Sequence, residues 1–486
     1  MASDKLARWT EQEAGPAPAS RHRFPVFPPI TALRPAILGR LMVPALLALL
    51  VWVHPALAAE LRVPAGQDQL RQMLKTAAPG DRLLLQAGRH QGPLVLERPV
   101  TLSGEPGARI VGAGKGHVIV IDAPDVTVQG VEITGSGLSL ESEDSGVFVT
   151  QKGGNARLIG NYLRNNLIGV FLKGPADALV RANRIEGRRD LRVNERGNGV
   201  QLWNTPGSVV EANDIRYGRD GIFVTTSKRN AFRDNHFQDL RFAVHYMYTH
   251  RSEISGNVSH GNHVGYAIMF SNDLEIRGNL SLGDRDGGLL FNYANRSDIT
   301  DNQVNAAEKC VFIYNSNRNN FHGNRFQNCA IGIQFTAGSE KNVISGNAFV
   351  ASRTQVKYVG TQQIEWSHAG RGNYWSDNLA IDLNSDGLAD RPYRPNDMVD
   401  RLLWRVPQAK LLLSSPALQL LRWAQSEFPG LYPGGVTDSA PLMAPPMTGA
   451  PLLSGPAGAG AATHALTPPY HRGDAAQAST NQEVEK

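Results

Sequence analysis

Short stretches in which apolar and polar residues alternate, separated by Gly and Asn, recur through the middle of the 486-residue chain. Residues 253–255, 275–277 and 298–300 are typical. Alternation with a period of two predicts β-strands, and the stretches are too short for helices. An Asn recurs at one place in the repeat, and most steps between these Asn are 22 or 23 residues. They lie at positions 161, 183, 213, 235, 257, 279, 302, 324, 347 and 373. A near-constant period of this length predicts a solenoid.

The predicted fold class is all-β, a right-handed single-stranded parallel β-helix with about 22 residues per rung over residues 59–373. Each strand then bonds to its copies in the next rungs at about 4.8 Å. We expect at least eight stacked rungs between residues 100 and 373. The recurring Asn should form one longitudinal ladder, in which side-chain amides hydrogen-bond from rung to rung.

Two segments depart from the repeat. Leu70, Met73 and Leu74 have helical spacing, which predicts a cap helix over residues 66–77 that covers the open N-terminal end of the solenoid. One repeat is eight residues longer than its neighbours, and its charged residues 188–196 are expected to loop out of the rung.

The N-terminus has the pattern of an export signal. Two arginines precede thirteen largely apolar residues, 41–53, and the small-residue motif Ala-Leu-Ala at 56–58. This pattern predicts that residues 1–58 are a leader and signal peptide, cleaved after Ala58. The alternative is a single membrane anchor, but thirteen helical residues rise only about 20 Å, less than the ~30 Å hydrocarbon layer.

Charge and cysteine content narrow the picture further. The formal net charge is only +5 and no block of Lys and Arg with interleaved aromatics occurs, so nucleic acid is not expected as a partner. The two cysteines, Cys310 and Cys329, differ by three residues in their position within the repeat. That offset suggests Cα atoms about 10 Å apart, which predicts no disulfide.

A loop within residues 374–395 resembles a calcium-binding loop. Oxygen side chains stand at its positions 1, 3, 5 and 9, with Gly at position 6, and they belong to Asp382, Asn384, Asp386 and Asp390. Position 12 is Tyr393, where an EF-hand has Glu. The alternative is a turn rich in Asp and Asn that holds no metal.

Residues 396–430 contain two segments with helical apolar spacing. They predict two amphipathic helices, which either cap the C-terminal end of the solenoid or dock a partner through Trp404 and Trp423. Residues 440–486 are rich in Ala, Pro and Gly and are expected to be disordered.

Alternate residues of the longest strand of each rung should point outward. The repeat predicts an outer column of Phe171, Lys173, Gln201, Trp203, Phe223, His245, Met247, Met269, Leu289, Phe291, Phe312, Tyr314 and Gln334. This column is unusually apolar for an exposed face, which indicates a binding surface. Its aromatic members Phe223, Phe291, Phe312 and Tyr314 are the candidate docking residues. The alternative is that a loop or the C-terminal helices cover the column.

Three soft ligands occur together in this column. Met247 and Met269 are 22 residues apart, so they should lie on neighbouring rungs, and His245 is two residues from Met247 on the same strand face. Thioether and imidazole ligands suit Cu(I), which predicts a transient copper site. The alternative is ordinary packing of Met on an apolar strip.

Enzymatic function is the main competing class. Parallel β-helices often act on polysaccharides as lyases, hydrolases or epimerases, and such chemistry requires carboxylates on the outer face. The predicted column contains no Asp or Glu. A polysaccharide lyase or C5-epimerase is therefore disfavoured, and a passive glycan-binding module would also account for the outer aromatics.

Several motifs resemble the NosD family. They are APGD at residues 78–81, the Asn repeat, GNYWSD at 372–377, DG at 386–387, RPYRPND at 391–397, DRLLWR at 400–405, LLLSSP at 411–416 and LLRW at 420–423. The likeness covers about residues 60–443, and its discriminating part follows residue 372.

This resemblance implies a non-enzymatic protein of the periplasm that is required to mature the copper centres of nitrous oxide reductase. It also implies its partners, namely an ABC-type permease with its ATPase, a copper-carrying lipoprotein and the reductase. Membrane association would then come through the transporter. The resemblance supplies no copper ligands, so His245, Met247 and Met269 rest on the repeat alone.

Overall fold

The computed structural model describes residues 58–412, 414–428 and 434–446. Their body is a parallel β-solenoid of three long sheets, with 12 strands in the main sheet and 13 in each of the other two. Successive strands of the chain fall in different sheets, and each pairs in parallel with its copies one rung away. The right-handed parallel β-helix and its period of about 22 residues are confirmed.

Three sets of strands build the solenoid. The main sheet contains Leu94–Leu96, Ile119–Ile121, Ser145–Val149, Ile168–Lys173, Val200–Trp203, Asp220–Lys228, Phe242–His250, Val264–Met269, Gly287–Asn292, Lys309–Tyr314, Ile331–Thr336 and Thr354–Val359. The second sheet contains Glu60–Val63, Arg82–Leu85, Thr101–Gly104, Thr127–Gln129, Arg157–Ile159, Leu179–Arg181, Val209–Glu211, Ala231–Arg233, Glu253–Ser255, Glu275–Arg277, Asp298–Thr300, Asn320–His322 and Val343–Ile344. The third sheet contains Gly88–Gln91, Ala108–Val111, Glu132–Thr134, Tyr162–Arg164, Arg184–Glu186, Asp214–Arg216, His236–Gln238, Val258–His260, Leu280–Leu282, Gln303–Asn305, Arg325–Gln327, Ala348–Val350 and Tyr374–Trp375.

Helices lie at the two ends of the solenoid. Helix α1, Gln69–Thr76, buries Leu70 against the first rungs and forms the predicted N-terminal cap. Helices α2, Met398–Arg405, and α3, Pro416–Glu427, lie at the C-terminal end, with the 3-10 helix Pro407–Leu412 between them. Among the helices of the described residues, none is both long and apolar enough to cross a bilayer.

The recurring Asn form one buried ladder, as predicted. The backbone N–H and the side-chain Nδ2 of Asn235 both donate to Oδ1 of Asn257, each at 3.0 Å, and Nδ2 also donates to the carbonyl of Val210. The same pair of bonds to Oδ1 of the next Asn repeats at every step of the Asn series, ending at Asn373. These bonds satisfy backbone groups at a corner where the strands end, so the ladder locks the register of the rungs.

Asp438 closes the top of the ladder. Its Oδ2 accepts hydrogen bonds from the backbone N–H of Asn373 at 2.7 Å and from Nε1 of Trp375 at 2.8 Å. Burial raises the pKa of the Asp438 carboxyl above its ordinary value, against the opposing effect of these hydrogen bonds. The sequence repeat could not reveal this residue, because it follows Asn373 by 65 positions.

Part of the segment expected to be disordered is instead packed. The strand Val436–Thr437 pairs with Ile364–Glu365, and the next residues continue along the last rung. Leu442 is buried, and its backbone N–H donates to the carbonyl of Asn373. The expectation of disorder is therefore wrong for residues 440–446, because a few apolar side chains close the open end of the core. Residues 447–486 and 1–57, including the predicted signal peptide, lie outside the described residues.

The cysteine prediction is also wrong. Cys310 and Cys329 form a disulfide, with their Cα atoms 5.7 Å apart. Cys310 lies in the strand Lys309–Tyr314, whereas Cys329 lies in the turn that precedes Ile331–Thr336 of the next rung. The estimate of about 10 Å holds for a straight strand. Here the chain turns a corner, with a left-handed backbone at Asn328, so the same offset spans a shorter distance.

The long repeat leaves the solenoid as predicted. Residues 188–196 connect the third sheet to the main sheet and include the 3-10 helix Val193–Glu195. Leu191 of this loop packs against a small apolar cluster of Leu167, Ile168 and Phe171. The loop therefore covers Phe171, which is one residue of the predicted outer column. This contact does not include the later rungs, which carry His245, Met247 and Met269.

Candidate functional site

The outer column of the main sheet follows the predicted register up to Met269 and then shifts. In the third sheet, Leu280 pairs with a residue 22 positions earlier, whereas in the main sheet Gly287 pairs with a residue 23 positions earlier. One extra residue therefore lies in the turn between the strands Leu280–Leu282 and Gly287–Asn292. Phe291 therefore pairs with the inward Ile268 and is fully buried. The prediction that Leu289 and Phe291 face outward is wrong, and Leu290 and Asn292 take their places.

Met247 and Met269 are direct register partners on neighbouring rungs of the main sheet. Both side chains are half-buried. His245 lies on the same face of the strand, between the inward core residues Val244 and Tyr246. The structure therefore brings the three predicted soft ligands to one patch, with the imidazole set deeper than the thioethers.

His245 contacts a buried ion pair formed by Asp220 and Arg241. Its Nδ1 lies 3.0 Å from Oδ2 of Asp220, which belongs to the rung below. Arg241 donates two hydrogen bonds to the same carboxylate, Nε to Oδ1 at 2.8 Å and a terminal nitrogen to Oδ2 at 2.6 Å. Burial opposes ionisation of Asp220, but the hydrogen bonds from His245 and Arg241 outweigh it and hold the pKa of Asp220 below its ordinary value. The sequence repeat did not predict this contact, because Asp220 and His245 occupy different positions in their rungs.

Aromatic rings enclose the imidazole. The ring centroids of Phe223 and Phe242 each lie 5.0 Å from that of His245. We call His245 and its neighbours Asp220, Phe223 and Phe242 the histidine pocket. Phe223, a predicted docking residue, is half-buried in this pocket. Phe312 is half-buried and Tyr314 is exposed, so both remain available on the surface of later rungs.

A row of stacked aromatic residues, which we call the aromatic ridge, runs beside the methionines. Its members are Tyr248, Phe270, Tyr293 and Tyr314, with centroids 5.0, 5.2 and 6.0 Å apart from one to the next. The first three have φ of 51°, 49° and 54°, a left-handed conformation that is uncommon for bulky residues. Sequence analysis missed the ridge. The sequence does contain a pattern that indicates it: an aromatic residue directly follows each of the outward positions 247, 269 and 292.

The stacking decides which part of the ridge meets the solvent. Tyr248 and Phe270 are nearly parallel, at 17°, and Phe270 and Tyr293 at 8°. The facing rings of Tyr248, Phe270 and Tyr293 therefore cover one another, whereas Tyr293 and Tyr314 meet edge to face at 74°. Tyr248, Tyr293 and Tyr314 are all exposed. Tyrosines of this kind are enriched at protein interfaces, because they present an apolar ring together with a polar hydroxyl.

Helices α2 and α3 have one covered and one open side. Val399 is fully buried, and Asn396 donates to the carbonyl of Val356 in the last strand of the main sheet. Their inner side is thus part of an end cap. Trp404 is half-buried, whereas Leu420 and Trp423 are 63% and 58% exposed. Both predicted roles, cap and docking surface, are compatible with this division.

In the calcium-like loop, the side-chain oxygens accept hydrogen bonds from backbone N–H groups of the same loop. The Asp382 carboxylate accepts the backbone N–H of Asp386 and of Gly387, and Asp390 accepts that of Leu383. Oδ1 of Asn384 and of Asp386 likewise accept backbone N–H groups. These are the bonds of a turn rich in Asp and Asn. The calcium prediction is not supported.

A cleft of about 660 Å³ lies beside the insertion loop on the outer face of the third sheet, lined by Tyr162, Glu186 and Asp190 among others. Its carboxylates are engaged, since Tyr162 donates to Glu186 at 2.8 Å and Arg188 pairs with Asp190. Burial together with this bond to Glu186 raises the pKa of Tyr162 to about 12. The Tyr162 hydroxyl and the carboxylates of Glu186 and Asp190 thus bond to one another or to arginine side chains within the cleft.

Across residues 58–412, 414–428 and 434–446, no three His, Cys, Asp or Glu side chains are grouped so that they could hold a metal ion. The thioether residues Met247 and Met269 are register partners on neighbouring rungs, on the strand face that also carries His245.

Two curated bacterial proteins are similar to this chain over most of their length. A Stutzerimonas stutzeri protein, "Probable ABC transporter binding protein NosD", is 43% identical over 378 residues, which cover 75% of this chain and 87% of that protein. The chain belongs to the NosD family. A Pseudomonas aeruginosa NosD of the same description is 42% identical over 388 residues, covering 77% and 91%. The family model described as "Periplasmic copper-binding protein (NosD)" matches residues 181–380.

The NosD match includes the histidine pocket, both methionines and the aromatic ridge, all of which lie within residues 181–380. Solved structures resemble the chain only distantly. The A-module of the mannuronan C-5 epimerase AlgE6 of Azotobacter vinelandii has a TM-score of 0.44 at 12% identity, over 61% of this chain and 92% of that module. An exopolygalacturonase of Thermotoga maritima has a TM-score of 0.44 at 10% identity, over 60% and 86%. Such distant likenesses carry no information about activity.

Proposed function

We propose that this NosD family protein is the periplasmic component of an ABC-type system that matures the copper centres of nitrous oxide reductase. It acts there as a docking scaffold and a transient Cu(I) relay, and not as an enzyme. Two findings support this role: the relatives are named as ABC transporter binding proteins, and the family model is described as copper-binding and periplasmic. Export by the N-terminal signal sequence would bring the protein to that compartment.

The observation that carries the proposal is the register of Met247 with Met269 beside His245. Two thioethers and one imidazole form a soft ligand set that suits Cu(I) over hard cations. The ligands fit a cargo site, because the methionines are half-buried and remain reachable from the surface. A site without thiolates should also release Cu(I) more readily than a closed thiolate site, as a relay requires.

Partner contacts are assigned to two surfaces. The open side of α2 and α3, with Leu420 and Trp423, docks the membrane permease, which works with its ATPase and keeps the protein at the membrane. The aromatic ridge, with Phe312 nearby, docks the proteins that exchange copper at the methionines, namely the copper-carrying lipoprotein and the reductase. Its position directly after Met247 and Met269 supports this assignment.

Replacing Met247 and Met269 by Leu should weaken Cu(I) binding strongly and lower the copper content of nitrous oxide reductase matured by the variant. The exchange preserves volume and hydrophobicity, so the free energy of unfolding should change by less than ~1.5 kcal/mol. Cu(I) affinity is measured by competition with a chromogenic Cu(I) chelator, and copper loading by metal analysis of the reductase.

Met73→Leu is the matched control, because Met73 is also half-buried but lies in the N-terminal cap helix. It should leave both readouts unchanged. Full copper loading by the double variant would show that these methionines only pack.

A further inference from the structure

We propose that Asp220, itself held by Arg241, is the positioning residue that fixes the His245 ring as the tautomer whose Nε2 is free to bind Cu(I). This inference rests on the proposed copper function and assigns roles to two residues outside the ligand set. It makes the site a carboxylate–imidazole–metal arrangement, in which the carboxylate orients the ligand and raises its basicity.

The hydrogen bonds determine the tautomer. An ionised carboxylate can only accept hydrogen bonds, and Asp220 already accepts two from the Arg241 guanidinium. The 3.0 Å contact between Asp220 and Nδ1 of His245 therefore requires a proton on Nδ1. In the neutral ring, Nε2 then carries a lone pair and no proton.

This Nε2 is buried, and no described residue forms a hydrogen bond with it. A buried polar atom without a partner is costly, and such atoms in folded proteins call for a functional explanation. Other rungs place Phe223, Ala267 and Leu290 at the register position of His245. Packing at this position therefore does not require a polar residue, and an unprotonated imidazole nitrogen is a ligand type that Cu(I) accepts.

The surrounding side chains keep the ring from turning. The ring centroids of Phe223 and Phe242 each lie 5.0 Å from that of the imidazole. The guanidinium of Arg241 stacks over Phe242 at 4.4 Å while it binds Asp220. One arginine thus holds both the carboxylate and one wall of the pocket. Because Asp220 belongs to the rung below His245, the rungs must stack correctly before the ligand is oriented.

The tautomer is tested first in the purified wild-type protein without copper. Long-range proton–nitrogen NMR correlations of protein labelled with 15N-histidine distinguish the two neutral tautomers, and the His245→Gln spectrum identifies the signals of His245. We expect a protonated Nδ1 and an unprotonated Nε2. A protonated Nε2 in the neutral ring would overturn the inference, and this test does not depend on the folding of any Asp220 variant.

Asp220→Asn tests the consequence for copper. An amide can also donate to Nδ1, so the variant should lose the single tautomer. Its Cu(I) affinity should fall by about 10–100-fold, the usual effect of removing a partner of a metal ligand. Asp214→Asn is the control, because Asp214 also pairs with an arginine, Arg216, but on the third sheet. The control should retain wild-type affinity.

The outcomes separate the two proposals. If Met247→Leu with Met269→Leu weakens Cu(I) binding but a folded Asp220→Asn does not, the inference fails and the proposed function stands. If the wild-type protein does not compete for Cu(I) at all, the copper function fails and the role of Asp220 fails with it. The third outcome is that Asp220→Asn lowers the Cu(I) affinity and gives a mixture of tautomers while Asp214→Asn changes neither. That result supports both the copper function and the positioning role of Asp220.

Discussion

Asn257→Ala should lower the free energy of unfolding by about 4 kcal/mol, because it interrupts the buried ladder at the middle of the solenoid. The Asn257 amide donates to the Phe232 carbonyl and to Oδ1 of Asn279, and its Oδ1 accepts both the backbone N–H and Nδ2 of Asn235. Alanine leaves several of these buried groups without partners, at about 1–3 kcal/mol each. Urea unfolding followed by tryptophan fluorescence measures the change.

Asn320→Ala is the control for the ladder, since its Nδ2 bonds with Asp298 on the exposed face of the second sheet. It should change stability by less than ~0.5 kcal/mol. Because contacts in a solenoid join nearest neighbours, hydrogen exchange in Asn257→Ala should rise first in the adjoining rungs. Equal stability of the two variants would mean that the ladder does not hold the register.

Leu420→Ser combined with Trp423→Ser should abolish co-purification with the permease and its ATPase while the solenoid remains folded. Both side chains are largely exposed, so their loss should cost little folding energy. Large apolar side chains at the centre of an interface each contribute about 2 kcal/mol or more to binding, so losing two should weaken it by more than about 100-fold. Affinity capture of the detergent-solubilised transporter measures the effect.

Point substitutions are preferable to deleting residues 396–430, because Val399 is buried and the deletion would uncover the end of the core. Leu379→Ser is the matched control, since Leu379 is 98% exposed and lies outside both helices. It should capture the transporter as the wild type does. Normal capture by the Leu420 and Trp423 variant would leave these helices as an end cap alone.

The sequence by itself determined the architecture of this protein. A period of 22 residues with alternating apolar positions allows only stacked coils, and the buried Asn at one corner sets their register. The same period correctly placed Met247 beside Met269. These predictions succeeded because the contacts of a solenoid join each residue to its copy one rung away, so that a one-dimensional repeat encodes them.

Only the tertiary structure decided features that depend on corners, insertions and distant segments. One extra residue in a turn moved Phe291 from the outer face to the core, because side chains alternate with a period of two. A corner brought Cys310 and Cys329 within bonding distance, although their positions in the repeat differ. Asp220 holds His245 through a contact between different positions of neighbouring rungs, where burial and hydrogen bonding act together. A repeat aligns equivalent positions, and these contacts join positions that are not equivalent.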